Sequence, residues 1–386
     1  MDIVMEAFSR ICSESGFAGL NQGRIIMLLV SFVLMYLAIG RGFEPLLLVP
    51  IAVGCMLANL PLSGILDAPV LNALGEETQA GGFLYYMSFG TRKEIYPVII
   101  FMGIGAMTDF APLLANPVTF LLGAAAQLGV FVALFGAMMI GFTVQEAASI
   151  AIIGGADGPT SIYLCSKLAP QILGAVAVAS YSYMSLVPLI QPPIIKLCTS
   201  KKDRAIRMDK LRPVSKLERI LFPIVVTVVT GLILPMSVPL IGILMFGNLL
   251  RECGCTDRLS DTAQNAIMNT VTIFLSLTVG ATMEADKFLT VATIKIIVLG
   301  LVAFMASTAG GCIFGQILKV LSGGKINPMI GAAGVSAVPM AARVVQVVSQ
   351  KENPGNFLLM HAMGPNVAGV IGTAVAAATM LTLLSH

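Results

Sequence analysis

The chain has 386 residues, 57% hydrophobic and 11% charged, with a net charge of +3 and a mean hydropathy of +0.91. Soluble domains carry roughly 25% charged residues, so a soluble globular domain is excluded and a polytopic membrane protein is expected. The small net charge gives nucleic-acid binding no support. The seven cysteines are scattered, and only Cys253 and Cys255 lie close, at a spacing that matches no zinc or redox motif.

The first residues, "MDIVMEAFSRICSESGFAGL", place acids at positions 2 and 6 and lack a long apolar core. They are not a signal peptide, and residues 1–23 are expected to form an amphipathic surface segment. Apolar segments follow at about 24–40, 44–61, 95–112, 117–142, 146–167 and 170–196. A polar stretch then interrupts, and between Lys196 and Arg219 it holds nine Lys or Arg against three acids. By the positive-inside rule this loop, 197–218, faces the cytoplasm. A second set of apolar segments lies at about 219–236, 238–251, 266–285, 290–320, 327–349 and 356–384.

The two sets match in order. "VPIAVGCMLANL" from Val49 answers "VPLIGILMFGNLL" from Val238, and "IFMGIGAMTDF" from Ile100 answers "IFLSLTVGATMEADKF" from Ile273. "GADGPTS" from Gly155 answers "GVSAVPMA" from Gly334. The chain therefore reads as a duplication, with membrane repeats at 24–196 and 219–386. Duplicated transporters often have inverted halves with sites near the midplane, where helices break. Inversion needs an odd number of crossings per half. The expected fold is an all-α polytopic membrane protein of two inverted repeats, each with about five transmembrane helices plus a broken or re-entrant fifth segment.

Asp157 lies in the middle of such a segment, "IAIIGGADGPTSIYL", ringed by Gly154, Gly155, Gly158 and Pro159. A mid-bilayer carboxylate costs about 2.5–3.5 kcal/mol even on the lenient insertion scale, so a proton, a cation or a basic partner must neutralise it. The glycines and proline free backbone carbonyls, which are tolerated at that depth only where they are buried in protein or line a cavity. With the hydroxyls of Thr160 and Ser161, these oxygens form a ligand set for a hard cation. The second half adds Asn327, Gly331, Ser336 and Arg343. Arg343 suits an anionic substrate group by its planar fork, or a salt bridge to Asp157. Asn366, behind Gly364 and Pro365, places an amide oxygen in the membrane. Of Tyr181 and Tyr183, the latter is expected to be functional, its register roughly matching Asn366. Asp109, Glu284 and Asp286 sit at segment ends, and runs such as "LLGAAAQLG" read as close helix packing.

"GGADGPTSIYL", "SYSYMSLVP", "NPMIGAAGVSAVPMAARV" and "NFLLMHAMGPNVAGVIG" closely resemble the membrane β subunit of the biotin-dependent, sodium-pumping decarboxylases, which act on oxaloacetate, methylmalonyl-CoA or glutaconyl-CoA. The resemblance runs from about Arg24 to the end. It implies that the chain decarboxylates carboxybiotin, consumes a proton and exports Na⁺. It implies catalytic roles for Asp157, Tyr183, Ser336 and Arg343, supporting roles for Asn327 and Gly331, and Na⁺ ligands in Asp157, Ser336 and Asn366. It further implies a carboxyltransferase α subunit, a small membrane anchor subunit and a biotin carrier protein as partners. Several β subunits per complex, in a bacterial or archaeal cytoplasmic membrane, are expected. The broken helices and the aspartate alone would equally serve a free-standing Na⁺/H⁺ antiporter or Na⁺-coupled organic-acid carrier.

Overall fold

A computed structural model describes residues 15–72 and 75–385. Most of the expected amphipathic segment 1–23 lies outside the described residues. Those residues hold fifteen helices of eight residues or more. The first six are α1 (Gln22–Arg41), α2 (Pro45–Ala58), α3 (Phe83–Arg92), α4 (Ile95–Met107), α5 (Thr119–Ala126) and α6 (Leu128–Met139). Next come α7 (Val144–Ala151), α8 (Gly158–Leu168), α9 (Leu173–Cys198), α10 (Lys216–Ile233) and α11 (Ile243–Glu252). The last four are α12 (Met268–Ala281), α13 (Val291–Leu321), α14 (Met340–Glu352) and α15 (Leu359–Leu384). A short antiparallel pair, β1 (Val70–Leu71) and β2 (Glu77–Gln79), precedes α3.

Among the described residues, four helical stretches are long and apolar enough to cross a bilayer: Gln22–Arg41, Thr119–Met139, Val291–Leu321 and Leu359–Leu384. The bent stretch that contains α9 makes a fifth if it counts as one span. These helices make the chain a multi-pass membrane protein. The outer face of α1 carries exposed Leu29, Phe32, Val33, Tyr36 and Ile39, a stripe that acyl chains can cover.

The second apolar segment of each half packs on the third segment of the other. Helix α2 lies on α12, and α4 lies on α11. Small residues allow it: a Cβ on Gly54 would sit 2.1 Å from the Leu277 carbonyl oxygen, and one on Gly247 would sit 1.9 Å from that of Met102. A buried asparagine locks each crossing. Asn59 donates to the Met283 carbonyl at 2.8 Å, and Asn248 donates to the Thr108 carbonyl at 3.0 Å.

Helix α13 measures the molecule from end to end. Near its start Lys295 donates to the Ile140 carbonyl at 3.3 Å; near its end Lys319 pairs with Asp203 at 2.6 Å. At 1.5 Å per residue these anchors are roughly 36 Å apart, against a hydrocarbon core of about 30 Å. Midway, Ser307 donates to the Gly154 carbonyl at 2.6 Å.

Both fifth segments turn back on themselves. The first enters through α7, whose Thr143 and Glu146 form a capping box. Its helix ends in a 3₁₀ turn at Ile152–Gly155, and Ala156 takes a left-handed φ of 54°. Asp157 then caps α8, with Pro159 in its first turn. The return ends where the segment began: Gln171 donates to Glu146 at 3.0 Å. The second segment starts at Asn327, turns through a 3₁₀ stretch at Pro328–Gly334, and returns along α14 to Asn356. Asn327 and Asn356 each donate to the Ile206 carbonyl at 2.9 Å, and Glu352 pairs with Arg204 at 3.0 Å. One hairpin is therefore based at the Lys295 end of α13, the other at the Lys319 end. Their tips meet, with Ser336 N–H donating to the Gly155 carbonyl at 2.8 Å.

Candidate functional site

Asp157 sits at this meeting of tips, 4% exposed. As the N-cap of α8 it accepts the Thr160 N–H at 3.0 Å, while Ser161 donates its hydroxyl to the Asp157 carbonyl at 2.7 Å. Among the described residues no ion pair joins any cation to Asp157. One N–H bond does not offset the burial of a full charge, so the carboxylate needs a proton or a cation. Among those residues no cluster of three or more His, Cys, Asp or Glu could hold a metal. A cation here must be held by one carboxylate with hydroxyl, amide and carbonyl oxygens, a set that suits a hard ion.

The second hairpin brings such oxygens. Asn366, fully buried on α15, donates to the Val335 carbonyl at 2.6 Å, and its Oδ1 has no hydrogen-bond partner among the described residues. The next residue, Ser336, shares a 2.7 Å hydroxyl contact with Thr373, two helical turns beyond Asn366 on the same face. Thr373 reaches Gln127 Oε1 at 3.3 Å, and Gln127 donates to the Gly123 carbonyl at 3.3 Å. A Cβ on Gly155 would lie 2.6 Å from Thr373 Oγ1, so this hydroxyl borders the turn that carries Asp157.

Thr373 and Gln127 are the residues that sequence reasoning missed. Gln127 is the only side-chain amide in the apolar run 117–142, and it falls at the joint between α5 and α6. That was its signal. Tyr181 is a second surprise. Its ring covers Gly158, where a Cβ would lie 2.4 Å from Cε1, so it packs on the Asp157 turn. Tyr183, about 200° further round α9, faces α13 instead and donates to the Ile297 carbonyl.

The remaining expected residues are spread out. Asn327 pins the second hairpin to the basic loop, as described, and its Oδ1 accepts the Met329 N–H at 3.0 Å. Gly331 lets that hairpin touch α13: a Cβ there would be 1.9 Å from the Gly311 carbonyl oxygen. Arg343 is exposed and lines a cleft of about 360 Å³ between α9 and α14, with Pro188, Pro192, Lys196, Met340 and Lys351. The structure thus brings together Asp157, Thr160, Ser161 and Ser336, with Asn366 one residue away. It does not join Arg343, Tyr183 or Asn327 to that group.

A larger cavity of about 640 Å³ opens at the first hairpin's base, lined by Gln171, Gly174, Thr282, Glu284, Lys287 and Thr293, among others. Asp157 lines neither space.

The family model described as "Na⁺-transporting oxaloacetate decarboxylase beta subunit" matches residues 23–384. The chain is 61% identical to the glutaconyl-CoA decarboxylase subunit beta of Acidaminococcus fermentans, over 100% of this chain and 99% of that one. It is 61% identical to the methylmalonyl-CoA decarboxylase subunit beta of Veillonella parvula, over 99% and 100%. Against the oxaloacetate decarboxylase beta chain of Klebsiella pneumoniae the identity is 49%, over 98% and 99%. The crossed helices, the two opposed breaks and this end-to-end similarity lead to one conclusion: the chain belongs to the β subunits of the Na⁺-transporting decarboxylases.

Proposed function

We propose that the chain decarboxylates carboxybiotin presented by a biotin carrier protein and couples this reaction to Na⁺ export, with Asp157 as the shared site for Na⁺ and H⁺. The observation that carries the reading is a buried carboxylate without a cationic partner among the described residues, placed where two backbone breaks from opposite ends of the molecule meet. The reaction consumes one proton, carboxybiotin and H⁺ giving biotin and CO₂. Na⁺ arriving at Asp157 releases a proton, and Na⁺ leaving lets one return. Ser336, Asn366 and the carbonyls of both breaks complete the cation's shell, joined by Thr373 at its edge. Thr160 and Ser161 hold the Asp157 turn in shape.

Arg343 lies with Lys196 and Lys351 in the cleft beside the basic loop, a cationic setting that suits the carboxylate of carboxybiotin. Tyr183, which bonds α13 at the Ile297 carbonyl, relays the proton, while Tyr181 seals the Asp157 turn. Asn327 and Gly331 fix the second hairpin so that its tip meets Gly155. The basic loop faces the cytoplasm, so the larger cavity at the opposite end serves as the Na⁺ exit. Rocking of one bundle against the other opens the site to each face in turn. The hairpins based at opposite ends, and the crossed pairing of α2 with α12 and α4 with α11, support two inverted repeats at 24–196 and 219–386 around the loop 197–218. The proposed assembly holds a carboxyltransferase α subunit, a small membrane anchor and several β subunits, in a bacterial or archaeal cytoplasmic membrane.

The test is purification in mild detergent followed by an avidin blot. The chain co-purifies with a biotinylated protein, and the complex releases CO₂ only when Na⁺ is present. A chain that purifies without a biotinylated partner and exchanges Na⁺ for H⁺ by itself would establish a free-standing antiporter instead.

A further inference from the structure

The loop after α11 carries Cys253, Gly254 and Cys255, and the fold brings their thiols together. The two Sγ atoms are 3.6 Å apart, because Gly254 takes a left-handed φ of 69° and turns Cys255 back toward Cys253. Cys253 is half-buried and Cys255 exposed. The loop lies on the face of the basic loop: Glu252 pairs with Arg219 at 3.7 Å, and the Lys216 ammonium is 3.3 Å from where a Gly254 Cβ would sit. The other described cysteines are placed differently. Cys55, Cys165 and Cys312 are fully buried in the helical core, beyond the reach of a polar reagent, and Cys198, half-buried at the end of α9, has no second cysteine beside it in the sequence.

We propose that Cys253 and Cys255 form a reversible dithiol–disulfide site on this face, oxidised by low-molecular-weight disulfides. Cys253 is the attacking thiol. Its Sγ lies 3.0 Å from the Thr256 hydroxyl, and this contact, with the Cys255 backbone N–H, brings its pKa down to about 7. The adjacent Cys253 sulfur pushes the Cys255 thiol up. The Cys253 thiolate attacks one sulfur of a disulfide RSSR, forms a mixed disulfide and expels one thiol, which takes up a proton. Cys255 then loses its proton, attacks the Cys253 sulfur and expels the second thiol. Two protein thiols become one disulfide as RSSR becomes two RSH. Closure also draws Cys253 away from Thr256 and from the Leu250 carbonyl, 3.6 Å away, at the C-terminal cap of α11.

The test uses the intact complex in a Cys12→Ser background, treated with oxidised glutathione at neutral pH and digested for mass spectrometry. The peptide containing 253–255 is expected to lose two hydrogens, to carry no glutathione, and to return to the dithiol with dithiothreitol. Cys255→Ser traps a stable glutathione adduct on Cys253. Cys253→Ser leaves Cys255 reacting roughly tenfold more slowly, since its thiolate fraction is smaller. A stable glutathione adduct on the wild-type loop, or two thiols that remain fully alkylatable after treatment, would overturn the proposal.

Discussion

The contact between the second hairpin and α13 gives the sharpest test of how the site is held. Gly331 and Gly311 meet backbone to backbone: a Cβ on Gly331 lies 1.9 Å from Gly311 O, and one on Gly311 lies 2.0 Å from Gly331 O. No side chain can swing aside, so Gly331→Ala must push the hairpin off α13. Ordinary contact begins at 3.4 Å, and the retreat is therefore about 1.5 Å. A shift of that size at the tip breaks the 2.8 Å bond from Ser336 to Gly155. Overpacking of this kind costs about 1–3 kcal/mol. If the cost falls on the docked state that binds Na⁺, half-saturation rises by roughly 5- to 150-fold. The assay is the decarboxylation rate of the purified complex as a function of Na⁺, with Gly242→Ala as control, where the nearest atom would be 3.5 Å away. Gly331→Ala with half-saturation within twofold of wild type and an unchanged melting temperature would refute the reasoning.

Thr373→Val keeps the shape but removes the hydroxyl that touches Ser336 and Gln127. One buried hydrogen bond of about 1–1.5 kcal/mol predicts a roughly tenfold weaker apparent Na⁺ affinity, and an unchanged Na⁺ titration would remove Thr373 from the site. The two tyrosines separate by readout. Tyr183→Phe lowers turnover while Na⁺ binding persists, whereas Tyr181→Phe shifts Na⁺ half-saturation first; equal effects of both on both quantities would contradict their opposite placement. The basic loop predicts a pH effect. Burial raises the Asp203 carboxyl, but hydrogen bonds from Lys319, Gln316 and Ser200 outweigh it and hold the group well below the usual carboxylate range. Its stabilisation is thus complete above the unfolded value of about 3.9 and fades only as the pH falls toward the depressed one. Hydrogen exchange of residues 199–207 should stay slow at neutral and mildly acid pH, and should quicken in Asp203→Asn. Equal protection in that variant would show that the carboxylate does not hold the loop.

The apolar segments were legible because such runs are read from length and composition: among the described residues, four of them coincide with a helix long enough to cross a bilayer and a fifth with the bent stretch of α9, whereas α3 falls in none of them. Asp157 was legible for the same reason, as a charge among apolar residues with glycines and proline around it. The direction of a segment was not. Hydropathy gives the length of a run and is blind to its turning back, which here depends on hydrogen bonds between distant residues, Gln171 to Glu146 and Asn356 to Ile206. Gln127 and Thr373 were hidden in Gly- and Ala-rich runs. A threonine that bonds its own helix carbonyl, as Thr373 does to Gly369 at 3.0 Å, reads like any packing residue. Tyr181 and Tyr183 stand two residues apart on one helix, and only the neighbours of α9 decide which of them looks at Asp157.

The central claim is that Asp157 holds Na⁺ and H⁺ in turn. Its most direct test is uptake of radioactive sodium into inverted vesicles carrying the complex with Asp157→Asn, energised by the substrate acid, alongside decarboxylation in the same sample. The amide keeps an oxygen near the Thr160 N–H but can take neither a proton nor a full cationic charge. The account predicts loss of both uptake and Na⁺-dependent decarboxylation, with the complex still assembled on avidin. Sodium uptake and decarboxylation at wild-type rates would contradict it.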